Sequence, residues 1–265
     1  MSAEHGHGKA GEHEIVVLDL FCGGGGAARG IINAGVYGIL GIDNDPTTLL
    51  TYTDAINGAD DPPIYAGHNI IDAIAALDEL IKAVQDNTVW QEFERLNYPD
   101  LIWASPPCQA YTWGTRSNRK QAFPTLIPEV RGRLETLRLL TDVDYIIENV
   151  PGAPLIDPVR LCGEMFGLNV IRHRHFECSW PATVPPHIRH KPPLTRPRRD
   201  GKPGQIQVSQ YCCVSGHGGN SDSFKLDDWK EAMDIDWMSR EHLIEAIPPI
   251  YAEYLVSQWK VHRGF

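Results

Sequence analysis

Ile15-Val16-Val17-Leu18-Asp19-Leu20-Phe21-Cys22-Gly23-Gly24-Gly25-Gly26 is the stretch that decides the fold class. Its mostly apolar first half is typical of a buried strand, and the four glycines allow a tight turn into a helix predicted at 27–34. The N–H groups at the start of such a helix can bind a ligand that approaches the glycine backbone. The stretch therefore predicts a ligand-binding strand–turn–helix unit.

The alternation of strand and helix patterns continues along the chain. Further strands are predicted at 37–43, 64–66, 100–104 and 145–150, with mixed β structure at 169–178. Further helices are predicted at 46–56, 70–84, 130–140 and 250–259. This alternation is typical of βαβ units, so we expect an α/β fold with a mostly parallel sheet.

Composition divides the chain into four parts. We expect a flexible polar tail at 1–13, a catalytic and cofactor-binding domain at 14–180, a small irregular lobe at 181–224, and a segment at 225–265 that returns to the main domain. The tail has no apolar signal-peptide core, and no apolar run approaches the ~18 residues of a membrane span. A cytoplasmic protein without membrane contact is the expectation.

Charge is unevenly distributed. The formal net charge is −10, yet the strip 187–202 contains six Lys or Arg residues and one Asp. A basic strip on an acidic protein can contact phosphates on one face, which is a property of nucleic-acid-binding proteins. A solvated loop explains the same pattern, and composition leaves both interpretations open.

The cysteines and histidines predict neither a disulfide framework nor a metal site. No CxxC pair occurs among the six cysteines, and a disulfide framework is unusual in a chain of this size and class. His5, His7 and His13 could chelate a metal, but a histidine-bearing tail is more often simply solvated.

The glycine turn by itself is ambiguous. Gly23, Gly25 and Ala28 satisfy the G-x-G-x-x-A dinucleotide pattern, and Asp43 follows at the distance that an NAD site requires. Asp43 could bind the ribose hydroxyls of NAD or of another nucleoside cofactor. An NAD-dependent oxidoreductase therefore stays open on this motif.

Three further motifs carry potential chemistry. Pro106 and Pro107 must end the strand at 100–104, which places Cys108 at the carboxyl end of the sheet. Glu148 ends a second buried strand, where burial favours a raised pKa and a proton-donor role. Arg172 and Arg174 alternate along one strand face. A buried thiol, a structural salt bridge and surface arginines are the respective non-catalytic alternatives.

In this order and spacing, the motifs resemble those of the DNA cytosine-5 methyltransferase family. The resemblance spans about 14–180 and about 239–260, where 245–249 replaces the final family motif with Glu245 in place of asparagine. The chain is similar to a small phage or bacterial member of this family, one with a reduced target-recognition region. It implies a Rossmann-like fold of the kind that S-adenosylmethionine-dependent methyltransferases share.

The resemblance also implies roles for individual residues. Cys108 would attack the cytosine ring, Glu148 would protonate its ring nitrogen, and Arg174, with Arg172, would hold its carbonyl group. Asn69 or His68 replaces the family's usual aspartate near the adenine. The implied contacts to S-adenosylmethionine, and to the product S-adenosylhomocysteine, are Asp19, Phe21, Cys22, Gly23, Gly24, Gly25, Gly26, Asp43, Asn44, Asn69 and Pro106.

The implied partner is double-stranded DNA, in the cytoplasm of a bacterium or a phage-infected host cell. The lobe would read a short site of about two to four base pairs, with Gln207, Ser209, Gln210 and His217 offering base-edge contacts. We expect a monomer without an obligate protein partner. A free cytidine nucleotide or RNA as substrate, and a non-catalytic nucleic-acid-binding module, are the alternatives.

Overall fold

The computed structural model describes residues 14–88, 98–112, 121–187, 211–212, 214 and 224–265. The strands in these ranges are β1 (Val16–Leu20), β2 (Gly38–Asp43), β3 (Tyr65–Ile70), β4 (Leu101–Ala104), β5 (Asp144–Asn149), β6 (Val159–Leu161) and β7 (Arg174–Cys178). The helices are α1 (Gly26–Asn33), α2 (Thr48–Asn57), α3 (Ala73–Gln85), α4 (Ile127–Thr141), α5 (Leu226–Met233), α6 (Arg240–Glu245) and α7 (Pro249–Arg263), with a short 3-10 helix at Gly163–Phe166.

The described strands form one sheet in the order β3-β2-β1-β4-β5-β7-β6. Strands β1 to β5 run parallel to one another, whereas β7 runs antiparallel to both of its neighbours. Parallel neighbours need crossover connections, which here carry helices and cover both faces of the sheet. The predicted α/β fold with a mostly parallel sheet is confirmed.

The central strand β1 is buried along its whole length. Its side chains alternate between two hydrophobic clusters on opposite faces of the sheet. Val17 belongs to the cluster that includes Trp259 of α7. Leu18 belongs to the cluster that includes Leu77 of α3. A strand covered on both faces requires apolar residues at successive positions, which explains the unbroken apolar run in the sequence.

The order of the strands reverses between β1 and β4. Loops that leave the carboxyl ends of these strands diverge, and a crevice opens between them. Both loops are held at their first residues, because Ser105 N–H donates to the carbonyl of Leu20 and Cys22 N–H donates to that of Ile42, each at 3.1 Å. The glycine turn and the Pro-Pro-Cys segment therefore meet at this crevice.

The glycine turn requires an unusual backbone. Phe21, Gly23 and Gly25 have positive φ angles of 57°, 49° and 81°. A left-handed conformation costs a residue with a side chain about 1–3 kcal/mol, and the ring of Phe21 offsets this by packing against the α3-side cluster. At Gly25 a Cβ would lie 2.5 Å from Cβ of Ala55, so glycine allows the turn to approach α2 closely.

The structure corrects several predicted boundaries. Strand β3 extends to Ile70, well past the predicted end at residue 66, and α3 begins at Ala73 instead of residue 70. Asp72 explains the later start, because its carboxylate accepts hydrogen bonds from the N–H groups of Ile74 and Ala75, both at 3.0 Å. Strand β6 and helix α5 were not predicted.

Several predictions lie outside the described residues. The tail 1–13 and most of the lobe 181–224 are among them. So are the proposed base-reading residues Gln207, Ser209, Gln210 and His217. Cys212 and Val214 are described, and both belong to a third hydrophobic cluster with Trp229 of α5. None of the described helices has the length and apolar character needed to cross a membrane.

Two glycines within helices allow a matched test of the packing of α1 against α7. A Cβ at Gly30 would overlap the backbone carbonyl of Pro249, whereas a Cβ at Gly132 in α4 would meet no atom within 4 Å. Gly30→Ala should therefore lower the free energy of unfolding by about 1–3 kcal/mol. Gly132→Ala should raise it by about 0.5–1 kcal/mol, because alanine favours a helix. Urea denaturation measures both, and equal effects would contradict the packing.

Candidate active site

The crevice between β1 and β4 contains a cavity that is lined by most of the residues predicted to bind a cofactor or to react. Its polar lining comes from the carboxyl ends of β1, β2, β4 and β5, from the start of β7, and from α6 and the residues after it. The lining side chains that the sequence did not single out as a site are Asp45, Thr48, Ser105, Gln109 and His242. The lining residues predicted as catalytic are Cys108, Glu148 and Arg174.

Cys108 lies one short turn beyond β4. The carbonyl of Cys108 accepts hydrogen bonds from the N–H groups of Tyr111 and Thr112, at 2.9 and 3.0 Å, so the turn after it is defined. Burial raises the pKa of the Cys108 thiol, and Glu148 adds to this increase, while Arg174 lowers it. The thiol is therefore mostly protonated near neutral pH. The positive charge of the nearby Arg174 guanidinium increases the small fraction that is present as thiolate.

Glu148 and Arg174 form an ion pair at the floor of the cavity. Arg174 Nε lies 3.0 Å from Glu148 Oε1, and both side chains are largely buried. Burial raises the pKa of Glu148 above its ordinary value, although Arg174 and a hydrogen bond from Ser105 oppose this increase. A carboxyl group with a raised pKa is suited to donate a proton to a bound ligand near neutral pH.

A chain of hydrogen bonds supports Glu148 from inside the protein. The indole N–H of Trp103, which is fully buried, donates to Ser105 Oγ at 2.9 Å. The Ser105 hydroxyl in turn hydrogen-bonds to the Glu148 carboxylate. Next to it, Asn149 Nδ2 donates to the carbonyl of Pro106 at 2.8 Å, which fastens the Cys108 loop to the end of β5. Sequence analysis missed the roles of Trp103 and Ser105.

Arg172 does not line the cavity. Its guanidinium is buried and donates to the carbonyls of Val214, at 2.8 Å, and Ile244, at 2.5 Å. Burial lowers its pKa to about 9. Tyr251 Oη donates to the Arg172 carbonyl at 2.7 Å. Arg172 therefore joins the segment before β7 to α6 and α7, and acts on the cavity through its position and charge.

The acidic residues near the glycine turn differ in the hydrogen bonds that their carboxylates accept. Asp43 accepts hydrogen bonds from the N–H groups of Gly23 and Asp45, both at 2.9 Å. Asp19 is fully buried, and neither of its oxygens has a hydrogen-bond partner among the described residues. Burial raises the pKa of Asp19 well above its ordinary value, and Asp43 raises it further. An unpaired buried carboxylate at a cavity is suited to bind a cationic group.

Most of the predicted cofactor residues lie at the cavity, and two do not. The residues that line it are Asp19, Phe21, Cys22, Gly23, Gly24, Gly26, Asp43, Asn44 and Pro106. Gly25 is instead buried at the start of α1, where it shapes the turn. Asn69 lies on the edge strand β3, opposite Ile42 of β2, and does not line the cavity.

Methyltransferases are among the known proteins that this chain resembles. No family model matches the sequence. The curated "Putative type II methyltransferase M.MjaORF1200P" of Methanocaldococcus jannaschii is 23% identical over 175 residues, which cover 51% of this chain and 48% of that protein. The chain thus spans about half the length of the curated relative it matches.

Solved structures extend the likeness to the whole fold. The methyltransferase EhMeth of Entamoeba histolytica aligns with 95% of this chain and 99% of its own, with a TM-score of 0.51 and 12% identity. A "putative DNA modification methyltransferase" encoded within an E. coli prophage aligns with 62% of this chain and 46% of its own, with a TM-score of 0.39 and 22% identity. The EhMeth alignment shows a shared Rossmann-like methyltransferase fold, and the prophage alignment is too weak to add to it.

Two buried aspartates should respond in opposite ways to amide substitution. Because the pKa of Asp19 is raised, the folded protein loses stability as the pH rises through that pKa. Asp19→Asn should therefore raise the Tm, and more at about pH 8 than at about pH 5; about 1 kcal/mol corresponds to about 2–4 °C in a domain of this size.

Asp144 provides the matched control. Its carboxylate accepts hydrogen bonds from Ser179 Oγ at 2.7 Å and Trp259 Nε1 at 3.0 Å. Asp144→Asn should lower the Tm, because the amide replaces a carboxylate that accepts two hydrogen bonds and would accept them more weakly. Thermal unfolding across this pH range measures both variants. A lower Tm for Asp19→Asn at every pH would show that its carboxylate has stabilising partners.

Proposed function

We propose that this protein is an S-adenosylmethionine-dependent DNA cytosine-5 methyltransferase that forms a covalent bond between Cys108 and its target base. The observation that carries the proposal is that Cys108, Glu148 and Arg174 meet in the same cavity as the glycine turn. A nucleophile, a proton donor and a cation are the three groups that addition to a cytosine ring requires.

The charges of the cavity favour S-adenosylmethionine over NAD. Five acidic side chains line it, and Arg174 is the lining arginine among the described residues; the acidic residues are Asp19, Asp43, Asp45, Glu148 and Glu245. Such a lining repels a pyrophosphate and attracts the ammonium and sulfonium groups of S-adenosylmethionine. Helix α1 has no side-chain N-cap, so its first N–H groups are available to donate hydrogen bonds to the methionine carboxylate.

Each part of the proposed cofactor can be matched with a side chain that lines the cavity. Asp19 would hold its cationic groups, Asp43 and Asn44 its ribose hydroxyls, and Phe21 its adenosine. When bound, S-adenosylmethionine would supply an electrophilic methyl group. This arrangement agrees with the placement of all four side chains in the cavity lining.

Cys108 supplies the electrons for the reaction. Its thiolate adds to carbon 6 of cytosine, and the ring electrons shift through carbons 5 and 4 to ring nitrogen 3, where Glu148 donates a proton. Carbon 5 thereby becomes nucleophilic and would take the methyl group of S-adenosylmethionine, which would leave as S-adenosylhomocysteine. The proton on ring nitrogen 3 then returns to Glu148. Loss of the carbon 5 proton to solvent then breaks the bond between sulfur and carbon 6, and the thiolate returns.

Arg174 acts at two points of this scheme. Its ion pair with Glu148 fixes the carboxyl group, and its positive charge lowers the pKa of Cys108. Its remaining N–H groups can hold the cytosine carbonyl, which defines the orientation of the ring. The buried Arg172 holds the start of β7 in place, so that Arg174 reaches the cavity.

DNA is the proposed substrate because the sequence motifs resemble those of DNA cytosine-5 methyltransferases. A base in a duplex would reach Cys108 by flipping out of the helix. Cytosine in RNA or in a free nucleotide presents the same ring atoms. The experiment below therefore includes these alternatives as separate arms.

A trapping experiment tests the proposed covalent chemistry. Duplex DNA that contains 5-fluorocytosine should form a stable protein–DNA adduct in the presence of S-adenosylmethionine, since no proton can leave carbon 5. Cys108→Ser should form none, because a hydroxyl is a far weaker nucleophile at neutral pH. Cys178→Ser, which changes a cysteine on β7 away from the cavity, is the control and should react like the natural protein.

Mass spectrometry identifies the adduct and the modified residue. Adducts with fluorinated RNA or free nucleotide, but not with duplex DNA, would refute the proposed substrate and retain the chemistry. An adduct in Cys108→Ser would refute the nucleophile.

The pH dependence tests the role of Glu148. The productive form has a Cys108 thiolate and a protonated Glu148, although a cysteine ordinarily has a higher pKa than a glutamate and burial raises the pKa of both groups. The dominant form has a Cys108 thiol and a Glu148 carboxylate, so it holds one proton, as the productive form does. The ratio of the two forms therefore does not depend on pH, and the rate should vary little between the two pKa values. In Glu148→Gln one titration is lost, and the slower rate should rise about tenfold per pH unit up to the pKa of Cys108.

Single-turnover methyl transfer at several pH values measures this difference. Binding of S-adenosylhomocysteine serves as the control and should change little in Glu148→Gln. An unchanged rate and profile would reassign Glu148 to a structural role.

A further inference from the structure

A cluster of cysteine and histidine side chains that could bind a metal ion lies outside the cavity. The ligand atoms of Cys162, His173 and His187 all lie within 4.8 Å of one another, and we call this group the Cys–His cluster. Cys162 precedes the short 3-10 helix, His173 lies between the two arginines near β7, and His187 lies beyond β7. Three separate segments of the chain therefore meet at this point.

The two histidines face each other through equivalent nitrogens. His173 Nε2 and His187 Nε2 are 3.1 Å apart. Two nitrogens bound to one tetrahedral zinc ion at 2.0–2.1 Å would be separated by about 3.3 Å. A hydrogen bond between two neutral imidazoles gives a similar distance, so this pair alone does not distinguish a hydrogen bond from a metal site.

Glu164 supplies the independent observation. Its Oε1 atom is buried, and no hydrogen bond reaches that atom from the described residues. It lies 3.8 Å from His187 Nε2, which is too far for a hydrogen bond. Two ligands on one zinc ion lie about 3.3 Å apart, so Glu164, which lies beside the three residues that meet within 4.8 Å, would reach a metal ion there by a small shift of its side chain. A buried carboxylate oxygen without a donor is costly unless a cation compensates it.

The surroundings of Cys162 are suited to a thiolate. Three backbone N–H groups hydrogen-bond to its sulfur, those of Gly163, Glu164 and Arg172. A metal ion that replaces the thiol proton would complete the same arrangement, because N–H groups around a sulfur stabilise a metal-bound thiolate.

We propose that the Cys–His cluster binds one zinc ion, with Glu164 as the fourth ligand. Sulfur, imidazole and carboxylate donors in a four-coordinate set favour zinc over magnesium or calcium. Four protein ligands leave no open position, so the site is structural. None of the four residues lines the cavity, and the zinc site is independent of the proposed methyl transfer.

The position of this site gives it a mechanical role. His173 is flanked in sequence by Arg172 and Arg174, and its carbonyl accepts a hydrogen bond from Arg174 Nη1 at 3.1 Å. A metal ion bound here would fasten the segment that leads to residue 187 onto the strand that carries Arg174. It would thereby fix the start of the 181–224 region relative to the cavity.

Cobalt substitution tests the proposal directly. The full-length protein, with His5, His7 and His13 changed to alanine to remove chelation by the tail, should bind one equivalent of Co²⁺ under reducing conditions. Its spectrum should show the intense visible bands of tetrahedral cobalt and a thiolate-to-cobalt charge-transfer band. Zn²⁺ should displace the cobalt and abolish both signals.

Variants assign the ligands. Cys162→Ser should lose the charge-transfer band, His173→Ala should weaken binding by at least about tenfold, the range typical when a metal site loses supporting contacts, and Glu164→Gln should alter the visible bands. His175→Ala and Cys178→Ser, which change nearby residues of β7, are matched controls and should bind like the parent protein.

Thermal unfolding gives a readout that does not depend on the cobalt spectrum. A strong chelator should lower the Tm of the parent protein and leave that of His173→Ala unchanged. Absence of tetrahedral cobalt bands, or a charge-transfer band that survives in Cys162→Ser, would overturn the proposal and leave the two histidines as a hydrogen-bonded pair.

Discussion

Complete burial of the central strand is the constraint on which the rest of the structure depends. Because β1 is covered on both faces and pairs with β2 and β4, its carboxyl end lies at the point where the strand order reverses. The glycine turn leaves from this end, and the hydrogen bond from Ser105 N–H to the Leu20 carbonyl brings the loop of Cys108 beside it. The residues predicted to bind a cofactor and those predicted to react thus become neighbours although they are far apart in sequence.

The electrostatics of the site oppose the stability of the unbound protein. An unpaired Asp19, together with Glu148 and Glu245, concentrates negative charge in one partly buried space. Arg174 compensates Glu148 directly, but no described side chain compensates Asp19. Such an arrangement is unfavourable in isolation and favourable with a cationic ligand, which is the usual relation between stability and function at binding sites.

The sequence predicts best those features that depend on local patterns. The buried strands β1, β4 and β5 were predicted within one residue, because strands covered on both faces are continuous apolar runs. Cys108 and Glu148 were placed correctly at the cavity, because each directly follows or ends such a run. The structure does not test their chemical roles.

Features that depend on tertiary contacts were missed. Strand β3 reads Tyr-Ala-Gly-His-Asn-Ile, and its edge position and mixed burial leave no apolar run to detect. Helix α5 is largely polar and buries mainly Trp229, Ala232 and Met233 against other segments. The ligands of the Cys–His cluster are separated by ten and thirteen residues, so no short spacing motif marks them.

The hydrogen-bond chain behind Glu148 also determines where a proton can travel. The Trp103 indole donates and has no lone pair to accept, so Ser105 must receive its hydrogen bond from that side and direct its own hydrogen toward Glu148. A proton on Glu148 therefore cannot pass into the interior along this chain of hydrogen bonds. It exchanges through the cavity, so a base that fills the cavity would separate Glu148 from bulk water and would itself become the destination of the proton.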